Sequence, residues 1–194
     1  MVTTMAVKTA TGEPLYPITV DAFERMIAAG VFGDDDVRIE LLDGVLVEMP
    51  EEQPPHALLI ARMAEWLIRN LPTDDLLVRV GAPMIYRPLS VPCPDFTVVD
   101  RAAATWTEHP ADAYLVVEVS DATRSKDRGR KSRIYAREGI REYWIIDVEH
   151  RCIEVRSQPA GEQFDHIQIV RPPDVVRCGT VALPPLDLDA LFAP

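Results

Sequence analysis

Two apolar runs constrain this chain more than any other feature. Tyr114 to Val119 and Glu142 to Asp147 are almost continuously hydrophobic, the pattern of strands covered on both faces rather than wetted on one. Between them, Ser125 to Glu138 is charged, helical in spacing and closed by Gly139. A strand, a helix and a second buried strand in succession call for a sheet with helices packed on it. Tyr143 and Trp144 sit within the second run and read as core residues rather than a base-stacking platform.

The rest of the chain fills in that frame. Thr19 reads as the cap of a short helix with Phe23, Met26 and Ile27 on one face, stopping at Gly30. Val37 to Met49 reads as two short strands about an Asp43-Gly44 turn, a strong hairpin signal. His56 to Leu71 repeats apolar residues at helical spacing until Pro72. Strand-like runs follow at Leu76–Val80, Met84–Tyr86 and Phe96–Val99, with another over Cys152–Arg156. A short helix is expected after Leu183-Pro184-Pro185. The expected fold is α/β (α+β): a central mixed sheet flanked by helices, with an N-terminal helix and hairpin. Residues 1–15 are expected to be a loose tail, and 16–194 one domain without an internal repeat.

Composition limits the function classes. With 194 residues, 47% of them hydrophobic, the chain has ample material for a core. No run approaches the ~20 apolar residues that span a bilayer, and Met1 to Thr11 lacks a signal-peptide pattern. Cys93, Cys152 and Cys178 are odd in number and widely spaced, which fits a reducing cytoplasm and buried thiols better than disulfides or zinc. Asp34-Asp35-Asp36 reads as a solvated loop, since an EF-hand needs alternating oxygen ligands, a glycine and a closing glutamate.

Charge is unevenly placed. The formal net is −11, which opposes a nucleic-acid partner if spread evenly. From Arg124 to Arg141, however, eight basic residues face two acidic ones, a local +6 on a body of −17. A solvated helix face explains that patch as readily as a binding surface does. Lys126, Arg130, Arg133 and Arg137 form a stripe suited to phosphates.

The candidate chemistry lies at strand ends. Glu118 and Ser120 share one side of their strand and Val119 takes the other. A glutamate closing an apolar strand is costly unless a cation, a donor or water meets it. Asp95 follows Pro94 where another strand begins. If those strands pair, both carboxylates reach one hard cation, and magnesium (or manganese) suits oxygen ligands with retained waters. Such an ion polarises a phosphoryl oxygen and acidifies bound water. Asp127, Lys131, Ile134, Tyr135 and Glu138 share a helical face. Ile134 and Tyr135 mark it as sheet-facing, which aims Lys131 inward. The plainer reading is an Asp127–Lys131 pair. His56, opening a helix after a proline loop, reads first as a capping or surface residue.

These residues also carry a resemblance. The run Val117-Glu118-Val119-Ser120-Asp121-Ala122-Thr123, then Asp127, Lys131, Tyr135, Gly139-Ile140 and Glu142-Tyr143-Trp144, resembles the Uma-two family of restriction-like endonucleases, within the PD-(D/E)XK nuclease superfamily. Glu40-Leu41-Leu42-Asp43-Gly44, His56 and Pro94-Asp95 match its upstream motifs in order. The similarity extends from about Tyr16 to Phe192. It implies a restriction-endonuclease-like core in which Asp95 and Glu118 bind metal and Glu40 is a further ligand or water-orienting acid. The superfamily usually has lysine two residues after the glutamate; here Ser120 stands there, and Lys131 matches the helix position to which the family's lysine is displaced.

The leading expectation is therefore a magnesium-dependent endonuclease acting on DNA, cytoplasmic, away from membranes and working as a homodimer. Glu40, Asp95, Glu118 and Lys131 would be its catalytic set. A catalytically silent module for protein interaction or DNA docking is the alternative, favoured by the acidic balance and by Ser120. A phosphodiesterase of small substrates is a third.

Overall fold

The structure, a computed structural model, describes residues 15–33, 38–121 and 123–193. Residues 1–14 of the expected tail, Val37 at the hairpin's start and the Asp34-Asp35-Asp36 cluster lie outside the described residues. The chain gathers into two compact units, one of 1–50 with 85–92, the other of 51–84 with 93–194.

The first unit holds helix α1 (Val20–Ala28) and the hairpin of β1 (Ile39–Leu42) and β2 (Val45–Glu48). Thr19 caps α1 by accepting the Ala22 N–H at 3.2 Å, which satisfies one otherwise orphaned donor. Val20 and Phe23 pack with Leu41 and Val91. The hairpin turns through Asp43 (φ 50°) and Gly44 (φ 77°), the left-handed pair that a two-residue turn of this type requires. A side chain on Gly44 would also meet Pro17 Cβ at 2.5 Å. The strand expected over Met84–Tyr86 does not form. Tyr86 instead makes an isolated bridge with Ser90, because the chain reverses at once through Pro88, which has no N–H to extend a ladder.

The second unit is built on a six-stranded sheet. Helix α2 (Pro54–Asn70) leads into β3 (Leu76–Val80), β4 (Phe96–Asp100) and β5 (Leu115–Ser120). A helical crossover follows, formed by α3 (Arg124–Lys126), a π turn (Asp127–Lys131) and α4 (Ser132–Arg137). Then come β6 (Glu142–Asp147), β7 (Cys152–Ala160) and β8 (Gln163–Val170). The order is β3-β4-β5-β6-β7-β8; β5 and β6 run parallel across the crossover and the other neighbours are antiparallel. A short ladder of β9 (Val175–Val176) with β10 (Leu186–Asp187) and a terminal helix, α5 (Leu188–Leu191), complete the unit. Among the described residues no helix is long and apolar enough to cross a membrane.

Alternation along the strands gives the sheet two unlike faces. One carries Phe96, Val117, Val119, Trp144 and Ile146, packed against Leu59, Met63 and Leu67 of α2, with Trp66 and Trp144 ring centroids 6.3 Å apart. The other faces the helical crossover, where the Tyr135 ring meets that of Tyr143 at a 59° tilt with centroids 4.9 Å apart. That second face carries nearly all the buried polar groups of the sheet.

Candidate functional site

Strand register assembles the site. Phe96 pairs with Val117 and Thr97 with Val116; one step further, the same register sets Asp95 opposite Glu118. Cross-strand partners share a face, so both carboxylates project on the crossover side. The next rows bring in Asp147 opposite Ser120 and, through Ile145, Glu154 in line with Glu118.

Glu118 is 4% exposed and Lys131 1%. The Lys131 ammonium donates to Glu118 Oε1 at 2.8 Å, and the Tyr135 hydroxyl donates to the same oxygen at 2.9 Å. Asp127 Oδ1 stands 4.0 Å from the ammonium. The partner of Lys131 is thus Glu118 first and Asp127 second, and the inward aim expected from helical spacing holds.

That aim depends on an irregular helix. The expected regular helix over Ser125 to Glu138 contains a π turn, in which the Ser132 N–H reaches back five residues to Asp127 O. A single π turn widens the helix and shifts the side chains that follow, and here Asp127 and Lys131 both end up buried against the sheet. Asp127 Oδ2 accepts the Ser120 hydroxyl at 2.6 Å and the Thr123 hydroxyl, while Tyr143 donates to Asp127 O at 3.1 Å. Burial pushes the Asp127 carboxyl up from its ordinary range, with the charge of Lys131 and the two hydroxyls opposing it. Burial, and the charges of Asp127 and Glu118, hold the Tyr143 phenol well above its ordinary value and so protonated. Asp127 Oδ1 is buried without a hydrogen bond among the described residues.

Asp95 is fixed from the other side. Its Oδ2 accepts the Val119 N–H at 2.6 Å, and His56 Nε2 of α2 lies 3.7 Å from the same oxygen. His56 is therefore neither a cap nor a surface residue. The Asp95 carboxylate raises the pKa of His56 against the opposing effect of burial. Asp95 Oδ1 makes no hydrogen bond among the described residues. One oxygen is tied and the other is open, a disposition suited to a hard cation that keeps part of its water. Among the described residues no group of three or more His, Cys, Asp or Glu side chains is clustered for a metal.

Beside these acids lies a charge network that sequence reasoning missed. Arg128, in the π turn, donates to Glu154 at 2.8 Å and Asp147 at 2.9 Å; Arg156 donates to Glu154 at 2.7 Å and to Arg128 O at 3.1 Å. These bonds bolt the turn to β6 and β7. The only sequence signal was acidic residues within strand-like runs.

A family model matches residues 20–186, most of the chain, and is described as "Putative restriction endonuclease", Uma2. The chain belongs to the Uma2 family. A search of curated proteins finds no match. Among solved structures, the Uma2 chain is similar to one titled as a "putative nuclease belonging to DUF820" from Anabaena variabilis, with a TM-score of 0.72 at 16% identity, covering 91% of this chain and 98% of that one. That likeness establishes a shared fold.

In this Uma2 chain, Asp95, Glu118 and Lys131 belong to the second unit and converge there. Glu40 is carried in the first unit, fully buried in β1. Of the basic stripe, Arg133 is exposed and Lys126 and Arg130 half-buried. Arg137 is engaged by Glu138 and Glu162, each at 3.2 Å.

Proposed function

We propose that this chain is a nuclease that hydrolyses phosphodiester bonds in DNA, with magnesium or manganese held by Asp95 and Glu118. The observation that carries this reading is the two carboxylates abreast on one sheet face with the Lys131 ammonium on Glu118 at 2.8 Å. A bound divalent cation would supply Lewis-acid polarisation of the phosphoryl oxygen and a more acidic water.

The chain's own groups do the rest. The Val119 N–H and His56 hold Asp95 with its open oxygen outward. Tyr135 and Lys131 fix Glu118, and the ammonium stands ready to stabilise negative charge that develops on a transferring phosphate. Asp127 and the hydroxyls of Ser120 and Thr123 hold the turn that carries Lys131. Lys126, Arg130, Arg133 and Arg137 supply positive charge on an otherwise acidic protein, which supports docking of the DNA backbone along the crossover. Glu40 is proposed as an auxiliary acid, as the family resemblance suggests. A homodimer presenting two basic crossovers is the proposed assembly. Free cysteines support a reducing, cytoplasmic setting.

One observation favours a second reading, a silent nuclease-fold module: Glu118 Oε1 is already engaged by Lys131 and Tyr135. Calorimetry of magnesium and manganese separates the two. We expect saturable binding in the wild type, lost in Asp95→Asn and Glu118→Gln, together with metal-dependent cleavage of plasmid DNA; Glu40→Gln run beside them reads the upstream acid. No metal binding in the wild type, even with DNA present, would establish the silent module.

A further inference from the structure

Arg79 occupies an unusual place on the sheet. It lies on β3 directly opposite Thr97, on the same face as Asp95 and Glu118, and Gly81 two residues on donates its N–H to Asp95 O at 2.8 Å. Arg79 is thus the diagonal neighbour of Asp95, a residue separation of roughly 7–8 Å.

Among the described residues its hydrogen-bond partners are neutral. One Nη donates to Pro83 O at 3.1 Å and the other meets His109 Nδ1 at 2.9 Å. Burial, then the charge of Arg79, keeps the His109 imidazole below its ordinary pKa and so a neutral acceptor. Burial also lowers the pKa of Arg79, with the nearby Cys93 opposing it. A half-buried guanidinium without a counter-ion is costly, the more so to leave unpaired in a protein of net charge −11. Two of its five donors are used and its fork remains able to take an anion. Beside it, the Thr97 hydroxyl is buried with no hydrogen-bond partner among the described residues, although buried hydroxyls are seldom left so.

The strand order gives these observations a direction. From β3 to β6 the face presents Arg79, then Asp95, then Glu118, then the basic crossover bolted to β6 and β7. The acid pair is bracketed by cations on both sides. We propose that Arg79 and the Thr97 hydroxyl form a phosphate subsite that takes a backbone phosphodiester flanking the one addressed by Asp95 and Glu118. This inference rests on the nuclease reading and specifies which substrate groups are held beyond the reacting one.

The test is fluorescence anisotropy of a labelled DNA duplex across a salt series, in chelator and in calcium. Arg79→Gln should weaken binding about tenfold and reduce the slope of log K against log salt by about 0.9, one phosphate contact. Magnesium binding by calorimetry should be unchanged. Arg79→Met, which keeps the apolar stem against the sheet, gives the same reading should the glutamine variant fail to fold. Thr97→Val should weaken binding several-fold with the slope and the stability of the fold preserved. A wild-type slope in the Arg79 variants, with duplex bound, would overturn the subsite and leave the nuclease reading standing. A wild type that binds no duplex would sink both.

Discussion

Replacing Lys131 by methionine tests the centre of the site through its stability. Methionine keeps the length of the stem and a good helix propensity, so the change removes little but the charge. In the folded protein it leaves the Glu118 carboxylate, 4% exposed, with the Tyr135 hydroxyl at 2.9 Å but without its ammonium at 2.8 Å. Breaking a buried pair from one side costs about 3–5 kcal/mol, because the surviving charge is left uncompensated. For a chain of this size each kcal/mol moves the melting point by about 2–4 °C, so a fall of roughly 6–20 °C is expected. Tryptophan fluorescence is the right probe, since Trp66, Trp106 and Trp144 all belong to the second unit and Trp66 and Trp144 lie in or against its core. Urea titrations that shift the midpoint with the slope unchanged would assign the effect to the folded state. The double variant Lys131→Met with Glu118→Leu should recover most of the loss, since exchanging both members for apolar groups is close to neutral. A loss under about 0.5 kcal/mol, the scale of surface substitutions, would refute the reasoning.

Two further outcomes follow from the same geometry. Asp147 is buried, and although burial alone would raise its pKa, the His150 N–H, the His150 side chain and Arg128 hold it below the ordinary 3.8. A carboxylate depressed in the folded state stabilises above its unfolded pKa and loses that contribution as pH falls through the folded value; the stability gap between wild type and Asp147→Asn should be constant near neutrality and close below about pH 4. Gly44→Ala, at φ 77° and facing Pro17 Cβ at 2.5 Å, should cost more than about 1 kcal/mol and speed hydrogen exchange in the hairpin, while tryptophan fluorescence of the second unit serves as control.

What the sequence disclosed was local. The run Glu142 to Asp147 announced β6 to the residue, and Asp43-Gly44 announced its turn, because unbroken hydrophobicity and left-handed backbone each have few explanations. Ile134 and Tyr135 correctly told which way Lys131 points. What stayed hidden depended on distant partners. Strand β8 was missed because Gln163 to Val170 lies at a sheet edge with most residues exposed, which blurs its alternation. The π turn has no code of its own beyond the weak hint of Gly129. His56 acquires meaning only when Asp95, far along the chain, is brought to it. Arg79 had no place in the sequence reading, because only register sets it opposite Thr97. Thiol burial was only partly legible, since Cys152 is buried whereas Cys93 and Cys178 are half-exposed.

The two-faced sheet has a consequence for how such a protein can diversify. Beside Asp95 stands Phe96, and beside Glu118 stand Val117 and Val119, each a member of the core cluster that also contains Leu59, Met63 and Leu67 of α2. Since a one-residue slip would exchange the faces wholesale, the packed side serves as the ruler that keeps Asp95 abreast of Glu118. Substitutions of similar volume among Phe96, Val117 and Trp144 that preserve this ruler leave the opposite side untouched. One surface is thus free to drift under the demands of stability while the other is retuned for new substrates, and the lineage need not solve both problems at once.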